Sequence, residues 1–358
     1  MRIRWNEYYD LLRYCTRYWK YNGGNPYRIL KRSLGLYVKR GFKPKEIYSL
    51  GFMNPAMPQK KVDHFLSKKE TMDKQARLNP SQWSLLTEDK GLFYRYCLEA
   101  GVKVPDLYAL HFKKSPGWLP DGHLLKSRDN WISFLENDIP DEFVMKPARG
   151  TYAQEVHFFE KSESGFRDEK GNILSAEEVY SIMQNHPSFD RYVLQQRVKS
   201  HPEMQRLSNT KSIQSLRMVT LLDNNGDPKL FYTLVKIIAS GNILDAFASG
   251  ATGNFIANVE IDKGTLHPAV TVDPKGRGTF PVQKHPQTGV VFKGFQIPMW
   301  KESVETCLHA AAKLAPIRSI GWDVAVTPEG PVVLEANMWW DPAQRMFKVA
   351  SLIKNLQP

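Results

Sequence analysis

Three oxygen-bearing side chains near the end of the chain have the types and spacing of a cation site. Asp323 lies in the segment GWDVAVT, and Glu335 and Asn337 lie two residues apart in the segment VVLEAN. The alternation of side chains along a strand places Glu335 and Asn337 on one face. Neighbouring carboxylates repel unless a positive charge lies between them, and Mg²⁺ prefers oxygen ligands. The pattern therefore predicts a magnesium site, with a solvated surface hairpin as the alternative.

A β-hairpin is the element that must position these side chains. Valine-rich segments lie on either side of the turn sequence Thr-Pro-Glu-Gly, which favours two strands joined by a tight connection. Pairing Val326 with Val332 leaves a three-residue loop that ends at Gly330. In that register Asp323 lies opposite Glu335, so we expect the two carboxylates to converge at one end of the hairpin.

A second group of candidates is basic. Lys146 lies in the apolar segment FVMKP, which predicts a strand, and the loop that follows contains Gly150 before a returning strand. A Lys-Pro-x-x-Gly pattern followed by a strand excludes a Walker-type loop, which leads into a helix. The pattern instead favours a flexible flap whose backbone N–H groups and lysine cover phosphates. A plain hairpin with an exposed lysine is the alternative.

Two further cations lie within apolar strands. Residues 215–223 and 229–237 flank the turn sequence Asn-Asn-Gly-Asp and predict a hairpin, with Arg217 and Lys236 close together at its far end. Such a pair favours an anion site, although charge on an edge strand also protects against aggregation. Lys90 begins a predicted helix, where it can reach a phosphate or simply be solvated.

The composition limits the class of protein. The 358 residues suffice for two or three domains, and no run of residues is long and apolar enough to span a bilayer. The basic N-terminus lacks the apolar core of a signal peptide. The isolated cysteines Cys15, Cys97 and Cys307 form neither a disulfide framework nor a Cys-x-x-Cys metal site. These features predict a cytoplasmic protein.

The net charge of +12 is concentrated in residues 1–80, which hold 18 Lys and Arg against 6 Asp and Glu. Apolar and aromatic residues recur there at helical spacing. We expect a helical region that packs on the rest of the chain by its aromatic face, or else touches an anionic membrane surface or glycan machinery. No recognised nucleic-acid-binding motif occurs, so nucleic acid is not an expected partner.

Several motifs together resemble a known family. They are Asp89-Lys90 before a helix that ends in GVKVP, the VMKP strand with its glycine loop, HPQTG, FQIPMW, and GWDVAVTPEGPVVLEAN. Over roughly residues 75–345 the chain resembles the ATP-grasp superfamily, and within it the sugar-transfer-associated branch, which is linked with polysaccharide assembly. The loop after Gly150 departs from the family pattern, because Thr151-Tyr152-Ala153-Gln154 lacks a second glycine.

The resemblance implies an α+β ATP-grasp fold, in which two subdomains hold ATP between them. A basic helical region would occupy residues 1–80 and the ATP-grasp domain residues 81–358, with a lid over about residues 140–195. It also implies roles by position: Lys90, Lys146 and Gly150 at the nucleotide phosphates, Gln195, Gln196 and Val198 at the adenine, Arg217 and Lys236 at the transferred phosphate, and Asp323, Glu335 and Asn337 as Mg²⁺ ligands.

The function implied is that of a carboxylate–amine ligase using ATP and Mg²⁺, acting through an acylphosphate on a sugar acid or another small acid. An ATP-grasp phosphotransferase acting on a hydroxyl and a non-catalytic, nucleotide-binding accessory protein of glycan assembly are the alternatives. Residues proposed to contact the acceptor are Asn254, His285, Trp340 and Asp341. Location is expected in the cytoplasm, with the inner face of the membrane as a site of peripheral attachment.

Overall fold

Helices form the N-terminal part of the chain and flank two sheets. The computed structural model describes residues 5–150, 155–239, 241–242, 244–247 and 250–341. The helices are α1 (Trp5–Asn22), α2 (Pro26–Arg40), α3 (Pro44–Ser49), α4 (Gln59–Val62), α5 (Lys68–Leu78), α6 (Ser84–Glu88), α7 (Lys90–Glu99), α8 (Arg128–Ser133), α9 (Ala176–Asn185), α10 (Pro202–Ser208) and α11 (Trp300–Lys313). A 3₁₀ turn (Ser81–Trp83) precedes α6, and a π-helical segment (Phe134–Asp138) continues α8.

The strands form two separate antiparallel sheets. Those of the first sheet are β1 (Leu107–Phe112), β2 (Ser115–Trp118), β3 (Leu124–Leu125), β4 (Glu142–Pro147), β5 (His157–Ser162), β6 (Gly165–Arg167), β7 (Ile173–Leu174) and β8 (Arg191–Gln196). Those of the second are β9 (Leu216–Leu222), β10 (Pro228–Ile237), β11 (Phe255–Glu260), β12 (Thr265–Val272), β13 (Thr279–Val282), β14 (Ser319–Thr327) and β15 (Gly330–Asn337). Two sheets with flanking helices confirm the predicted α+β class.

The first sheet has the order β3-β2-β1-β8-β4-β5-β6-β7, so β8 and β4 lie at its centre. Their apolar side chains pack with Trp131 of α8 and with Val179 and Met183 of α9 in one buried cluster. Because β4 and β8 are held on both edges, the side chains near their ends are fixed in position. Lys146 and Gln195 are two of these side chains.

The second sheet has the order β13-β12-β11-β10-β9-β14-β15. Helix α11 packs against β9, β10, β14 and β15, and buries Cys307 against Met218. Helix α7 contacts both β8 and β15, so its first turn lies where the two sheets meet. The meeting of the sheets around α7 forms the cleft described below.

The C-terminal hairpin, β14–β15, differs from the predicted register at its turn. Val326 faces Pro331 rather than Val332, so the predicted pairing is wrong by one residue and the loop is shorter. A β-bulge farther along β15 adds one residue and restores the register. Asp323 therefore lies opposite Glu335, as predicted.

The N-terminal helices have a core of their own and also contact the second sheet. Helices α1–α3 bury a cluster that includes Leu11, Ile29 and Phe42. The Tyr48 hydroxyl donates to the Pro274 carbonyl at 2.6 Å, and the Asn22 amide donates to the Lys275 carbonyl at 2.7 Å. Among the described helices, none is long and apolar enough to cross a membrane.

Candidate functional site

A cleft of about 530 Å³ opens between the two sheets. Side chains of β4 and β8 line one wall, and side chains of β10, β14 and β15 line the other. The residues proposed from sequence that line this cleft are Lys90, Lys146, Gly150, Gln195, Gln196, Val198, Lys236, Asp323 and Glu335. Elements that lie far apart in sequence therefore bring these side chains to one place.

The Asp323 carboxylate forms ion pairs with two cationic side chains. Arg217 Nε donates to one carboxylate oxygen at 2.6 Å, and Arg217 Nη2 donates to the other at 3.0 Å. Lys236 Nζ lies 3.0 Å from that second oxygen. Burial by itself would raise the pKa of Asp323, but the two cations outweigh burial and hold the pKa well below its usual range. Arg217 is not among the residues that line the cleft, and its two hydrogen bonds hold the Asp323 carboxylate in position.

Glu335 lies opposite Asp323 and has its own cation. Lys90 Nζ is 3.2 Å from a Glu335 carboxylate oxygen. Asn337 follows on the same face of β15, and its amide nitrogen is buried without a hydrogen-bond partner. The two ends of an asparagine amide are assigned from hydrogen bonding, so an amide turned over would place an oxygen there, as a cation requires.

These residues fit a hard cation with oxygen ligands. Within the described parts of the chain, no group of three or more His, Cys, Asp or Glu side chains is arranged for a metal. Asp323 and Glu335 supply two carboxylates, so Asn337 and the oxygens of a bound phosphate would have to complete the ligand set. Lys90 and Lys236 contact these carboxylates and would be free to contact the phosphate oxygens once a cation takes their place.

Lys146 faces the same cleft from β4. Its Nζ donates to the Tyr94 hydroxyl at 2.9 Å, and that hydroxyl donates to the Leu334 carbonyl at 2.7 Å. Burial, followed by the nearby charge of Lys90, lowers the pKa of Lys146 to about 7, although Glu335 opposes the change. A lysine with a lowered pKa in a cleft is a candidate for binding an anion.

The first turn of α7 is tied to the loop after β4. Asp89 caps the helix by accepting from the backbone N–H of Gly91, and it pairs with Arg191 at 2.5 Å. The Lys90 N–H donates to the Ala148 carbonyl at 2.9 Å. Residues 151–154 of the predicted flap lie outside the described residues.

Apolar side chains also line the cleft. They are those of Val144, Val156, Phe158, Val198 and Leu334. The Gln195 side chain is buried, and its amide oxygen has no hydrogen-bond partner. Apolar lining with an unpaired polar group suits a heteroaromatic base.

Two of the proposed acceptor residues stabilise turns outside the cleft. His285 is fully buried, and its Nε2–H donates to the Ile238 carbonyl at 3.0 Å. The Asn254 amide accepts from the Ala239 N–H at 2.8 Å and donates to the Leu244 carbonyl at 2.9 Å. Asn254 therefore organises the loop that carries Leu244 to the cleft, without lining the cleft itself.

The other two proposed acceptor residues are also placed elsewhere. Trp340 is buried, and its indole N–H donates to the Ser319 hydroxyl at 2.8 Å. The backbone carbonyl of Asp341, an exposed residue, accepts from the Tyr232 hydroxyl at 3.1 Å. Packing against the second sheet accounts for the position of Trp340.

Several residues that the sequence prediction missed belong to this site. Tyr94 lies one helical turn after Lys90, and this spacing could have placed both on one face of α7. Asp245 lines the cleft and accepts from the Ser215 hydroxyl at 2.5 Å, but its small-residue loop gave no pattern. Arg197 also lines the cleft, with its guanidinium 5.6 Å from the Phe158 ring.

Taken together, the cleft combines apolar lining with a charged cluster. We use the term charged cluster for Lys90, Lys146, Arg217, Lys236, Asp323 and Glu335. In this cluster cations outnumber carboxylates, and its side chains are buried or partly buried. Such an arrangement can hold a polyphosphate next to a cation and stabilise charge that moves between phosphate oxygens.

Comparisons with known proteins give one family match and distant similarities to solved structures. The sugar-transfer-associated ATP-grasp family matches residues 71–357. A search of curated proteins gives no match. The solved structure of D-alanine–D-alanine ligase from Bacillus anthracis aligns with 11% identity and a TM-score of 0.39, covering 73% of this chain and 59% of that one. The chain thus spans less than two-thirds of that ligase.

A second solved structure, an ATP-grasp protein with a RimK domain from Sphaerobacter thermophilus, aligns with 14% identity and a TM-score of 0.37. The alignment covers 76% of this chain and 68% of that one. Both similarities are distant, and no residue's role is taken from them.

Proposed function

Because the chain belongs to the sugar-transfer-associated ATP-grasp family, we propose that it is an ATP- and Mg²⁺-dependent ligase. The reaction proposed joins a carboxylate to an amine through an acylphosphate. The acid is proposed to be a sugar acid or another small acid used in the assembly of cell-surface polysaccharide, and the site of action the cytoplasm. The family name supports only the general link with sugar transfer.

One observation carries this proposal. Lys90, Lys146 and Lys236 converge on the two opposed carboxylates Asp323 and Glu335 in a cleft that also has apolar lining. The apolar side chains would pack against the base of a nucleotide, and the cations would contact its phosphates. The same cluster would meet the charge that develops when the terminal phosphate is transferred.

Asp323, Glu335 and Asn337 are the residues that would hold Mg²⁺, which when bound neutralises phosphate charge and orients the phosphate oxygens. Lys90 and Lys236 would exchange their carboxylate partners for phosphate oxygens. Arg217 would keep Asp323 in place, because two of its N–H groups already donate to that carboxylate.

In the first step, an oxygen of the acid attacks the γ-phosphorus, and the bond from that phosphorus to the bridging oxygen of ADP breaks. Lys146 and Lys236 would stabilise the negative charge shared between the attacking and leaving oxygens. In the second step, the amine nitrogen attacks the acyl carbon, phosphate leaves, and the nitrogen loses a proton. Exclusion of water from the cleft protects the acylphosphate from hydrolysis.

The structure offers less to the two rival functions. Transfer to a hydroxyl needs a general base near the acceptor, and the candidates named from sequence, His285 and Asp341, lie outside the cleft. Asp245 does line the cleft, but one of its oxygens already accepts from the Ser215 N–H and hydroxyl. An accessory protein that binds no nucleotide would leave the buried charges of the cluster without a ligand that offsets their desolvation.

Trapping with hydroxylamine tests the proposal. The protein is incubated with Mg-ATP, hydroxylamine and a panel of acids that includes hexuronic acids, and ADP and hydroxamate are measured together. An acylphosphate reacts with hydroxylamine, so we expect the two products in equal amounts for the correct acid. Mass analysis with a panel of amines then identifies the amide.

Glu335→Gln is the site variant, and Glu305→Gln is its matched control, because the Glu305 side chain is 64% exposed on α11. We expect hydroxamate formation to fall about a hundredfold or more in the first variant and to stay unchanged in the second. A phosphate ester formed with an alcohol acceptor would assign the phosphotransferase instead. Absence of Mg-ATP binding in calorimetry would assign the accessory role.

A further inference from the structure

Exposed aromatic side chains are concentrated at one end of the molecule. Those more than a third exposed within residues 5–27 are Trp5, Tyr9, Trp19, Tyr21 and Tyr27. In the rest of the described chain, Phe280 alone is an aromatic residue of comparable exposure. Exposed apolar groups scattered singly need no explanation, but a contiguous group of this kind marks an interaction surface.

Helix α1 carries this group on a face of its own. Leu11, Cys15 and Tyr18 point into the helical core, where they are buried. Trp5, Tyr9, Leu12, Thr16 and Trp19 recur at spacings of four and three residues, so they share a different face of the helix, which we call the outer face of α1. The helix therefore has two apolar stripes, and the core of α1–α3 covers one of them.

Basic side chains border the outer face. Arg13, Arg17 and Lys20 are exposed and line a shallow depression together with Tyr9 and Tyr21. This is also the part of the sequence in which the net charge of +12 is concentrated. The border is thus positive.

The acidic residues of α1 do not cancel this charge. Glu7 accepts from the Tyr37 hydroxyl at 2.7 Å and pairs with Lys43, toward the core of the helical region. Asp10 pairs with Arg13 at 3.0 Å, and both of these side chains are substantially exposed. Arg17 and Lys20 contribute further positive charge beside the aromatic stripe.

We propose that the outer face of α1 docks on the surface of a bilayer that contains anionic lipid. Trp and Tyr side chains lie at the boundary between head groups and acyl chains, and neighbouring Lys and Arg side chains bind anionic head groups. The face lies on the outside of one helix of 18 residues, a shape that can lie along a membrane surface, whereas a polymer is usually bound along a groove. The proposal does not rest on the ligase assignment.

Vesicle binding by the full chain tests the proposal. Sedimentation is measured with vesicles of phosphatidylcholine alone and with vesicles of phosphatidylglycerol and phosphatidylcholine in equal parts, at low and high salt. We expect binding to the anionic vesicles only, weakened by salt because exposed charges are screened. Acyl chains brominated near the head group should quench tryptophan emission, and a Trp5→Tyr, Trp19→Tyr double variant should lose that quenching while still binding.

Charge variants supply the matched comparison. Arg13→Gln with Lys20→Gln should weaken binding to anionic vesicles about thirtyfold, since each basic side chain near such a surface contributes about fivefold. Lys293→Gln with Lys301→Gln removes the same charge from exposed positions elsewhere and should leave binding unchanged. Thermal unfolding of both variants checks that the fold is intact.

Three results would overturn the proposal. The first is equal binding of the wild-type chain to neutral and anionic vesicles, or to neither. The second is an equal loss in the two charge variants, which would mean that no particular face is used. The third is displacement from anionic vesicles by a soluble acidic polysaccharide together with no quenching by brominated lipid, which would make a polymer the ligand of this face.

Discussion

At the scale of single residues, burial decides what the charged side chains of the cleft can do. Lys146 is surrounded by Tyr94, Lys90 and Glu335, so its pKa is lowered to about 7 by burial first and by the charge of Lys90 second. Asp323 experiences the opposite balance, because Arg217 and Lys236 outweigh the effect of burial. Lys146 therefore loses its proton far below the usual pH for a lysine, whereas Asp323 keeps its charge despite burial.

The low pKa of Lys146 predicts a pH dependence of nucleotide binding. Above pH of about 7, Lys146 is largely neutral in the free protein and must take up a proton when the anionic phosphates bind and raise its pKa. Affinity for Mg-ATP should therefore fall as the pH rises, by up to about tenfold per unit, and should not change with this group at lower pH.

Calorimetry in buffers of different ionisation enthalpy measures this proton directly. At pH of about 8 we expect uptake of close to one proton per nucleotide in the wild-type protein and none from this group in Lys146→Met. Equal uptake in the two proteins would contradict the assignment. Lys199→Met, which removes a lysine whose side chain is 73% exposed, is the control for loss of charge alone.

Removing the charge of Asp323 tests how the cluster contributes to stability. Asp323→Asn leaves Arg217 and Lys236 buried without a counter-ion, which should lower the free energy of unfolding by about 3–5 kcal/mol. Asp73→Asn breaks the exposed pair between Asp73 and Lys69 and should cost less than about 1 kcal/mol. Urea unfolding measures both, and similar losses in the two variants would show that the Asp323 pair is effectively solvated.

At the scale of secondary-structure elements, α7 links the two walls of the cleft. Its N-cap, Asp89, is only 2% exposed and also pairs with Arg191 at the start of β8. Lys90 reaches Glu335 on β15 and contacts the loop after β4 through its backbone. Because the start of α7 contacts both sheets, we expect nucleotide affinity to depend on Asp89, although Asp89 does not line the cleft.

Asp89→Ala is expected to weaken Mg-ATP binding about tenfold, because Lys90 and the loop after β4 lose their common anchor. The control is Ser175→Ala, which removes the N-cap of α9, remote from the cleft lining, at a similar cost of about 1 kcal/mol. Dissociation constants and unfolding free energies are measured for both variants. Loss of affinity in Ser175→Ala would show that affinity follows stability alone, and unchanged affinity in Asp89→Ala would show that Asp89 does not position Lys90.

The C-terminal hairpin shows where prediction of an element succeeds and where it fails. Its strands, its turn and the opposition of Asp323 and Glu335 follow from the sequence. The turn register does not, because the Thr327 side chain closes a two-residue turn by donating to the Gly330 carbonyl at 2.8 Å. The bulge lies where β14 also pairs with β9, and β9 is not part of the hairpin sequence. The hairpin sequence alone therefore does not predict it.

At the scale of the whole molecule, the helical region is fixed to the second sheet through the turn between β12 and β13. Gly276 in this turn has a φ of +77°, and a Cβ there would lie 2.6 Å from the Tyr48 ring. Helix α5 adds a second attachment, since the Gln75 amide donates to the Trp340 carbonyl at 2.8 Å. Close backbone approach, rather than a large apolar interface, holds this turn against α3.

Gly276→Ala should therefore loosen the helical region, while Gly289→Ala should not. Gly289 has a similar φ of +70°, but a Cβ there meets nothing within 4 Å. Both variants carry a backbone strain of about 1–2 kcal/mol, and only the first adds a clash. Hydrogen exchange of the α1–α3 amides should rise in Gly276→Ala alone, and a rise in both would mean that strain is the cause.

The sequence by itself determined the candidate chemical groups, namely the carboxylates and amide of the C-terminal hairpin and the lysines within apolar strands. It also determined the hairpins that carry them and the concentration of positive charge in residues 1–80. These features depend on residues that are near one another in the chain. Only the tertiary structure decided that Arg217 donates to Asp323 and that Lys146 donates to the Tyr94 hydroxyl. It also decided that His285 and Trp340 lie outside the cleft. Those outcomes depend on packing between elements that are distant in sequence, and the pattern of a single segment does not predict such packing.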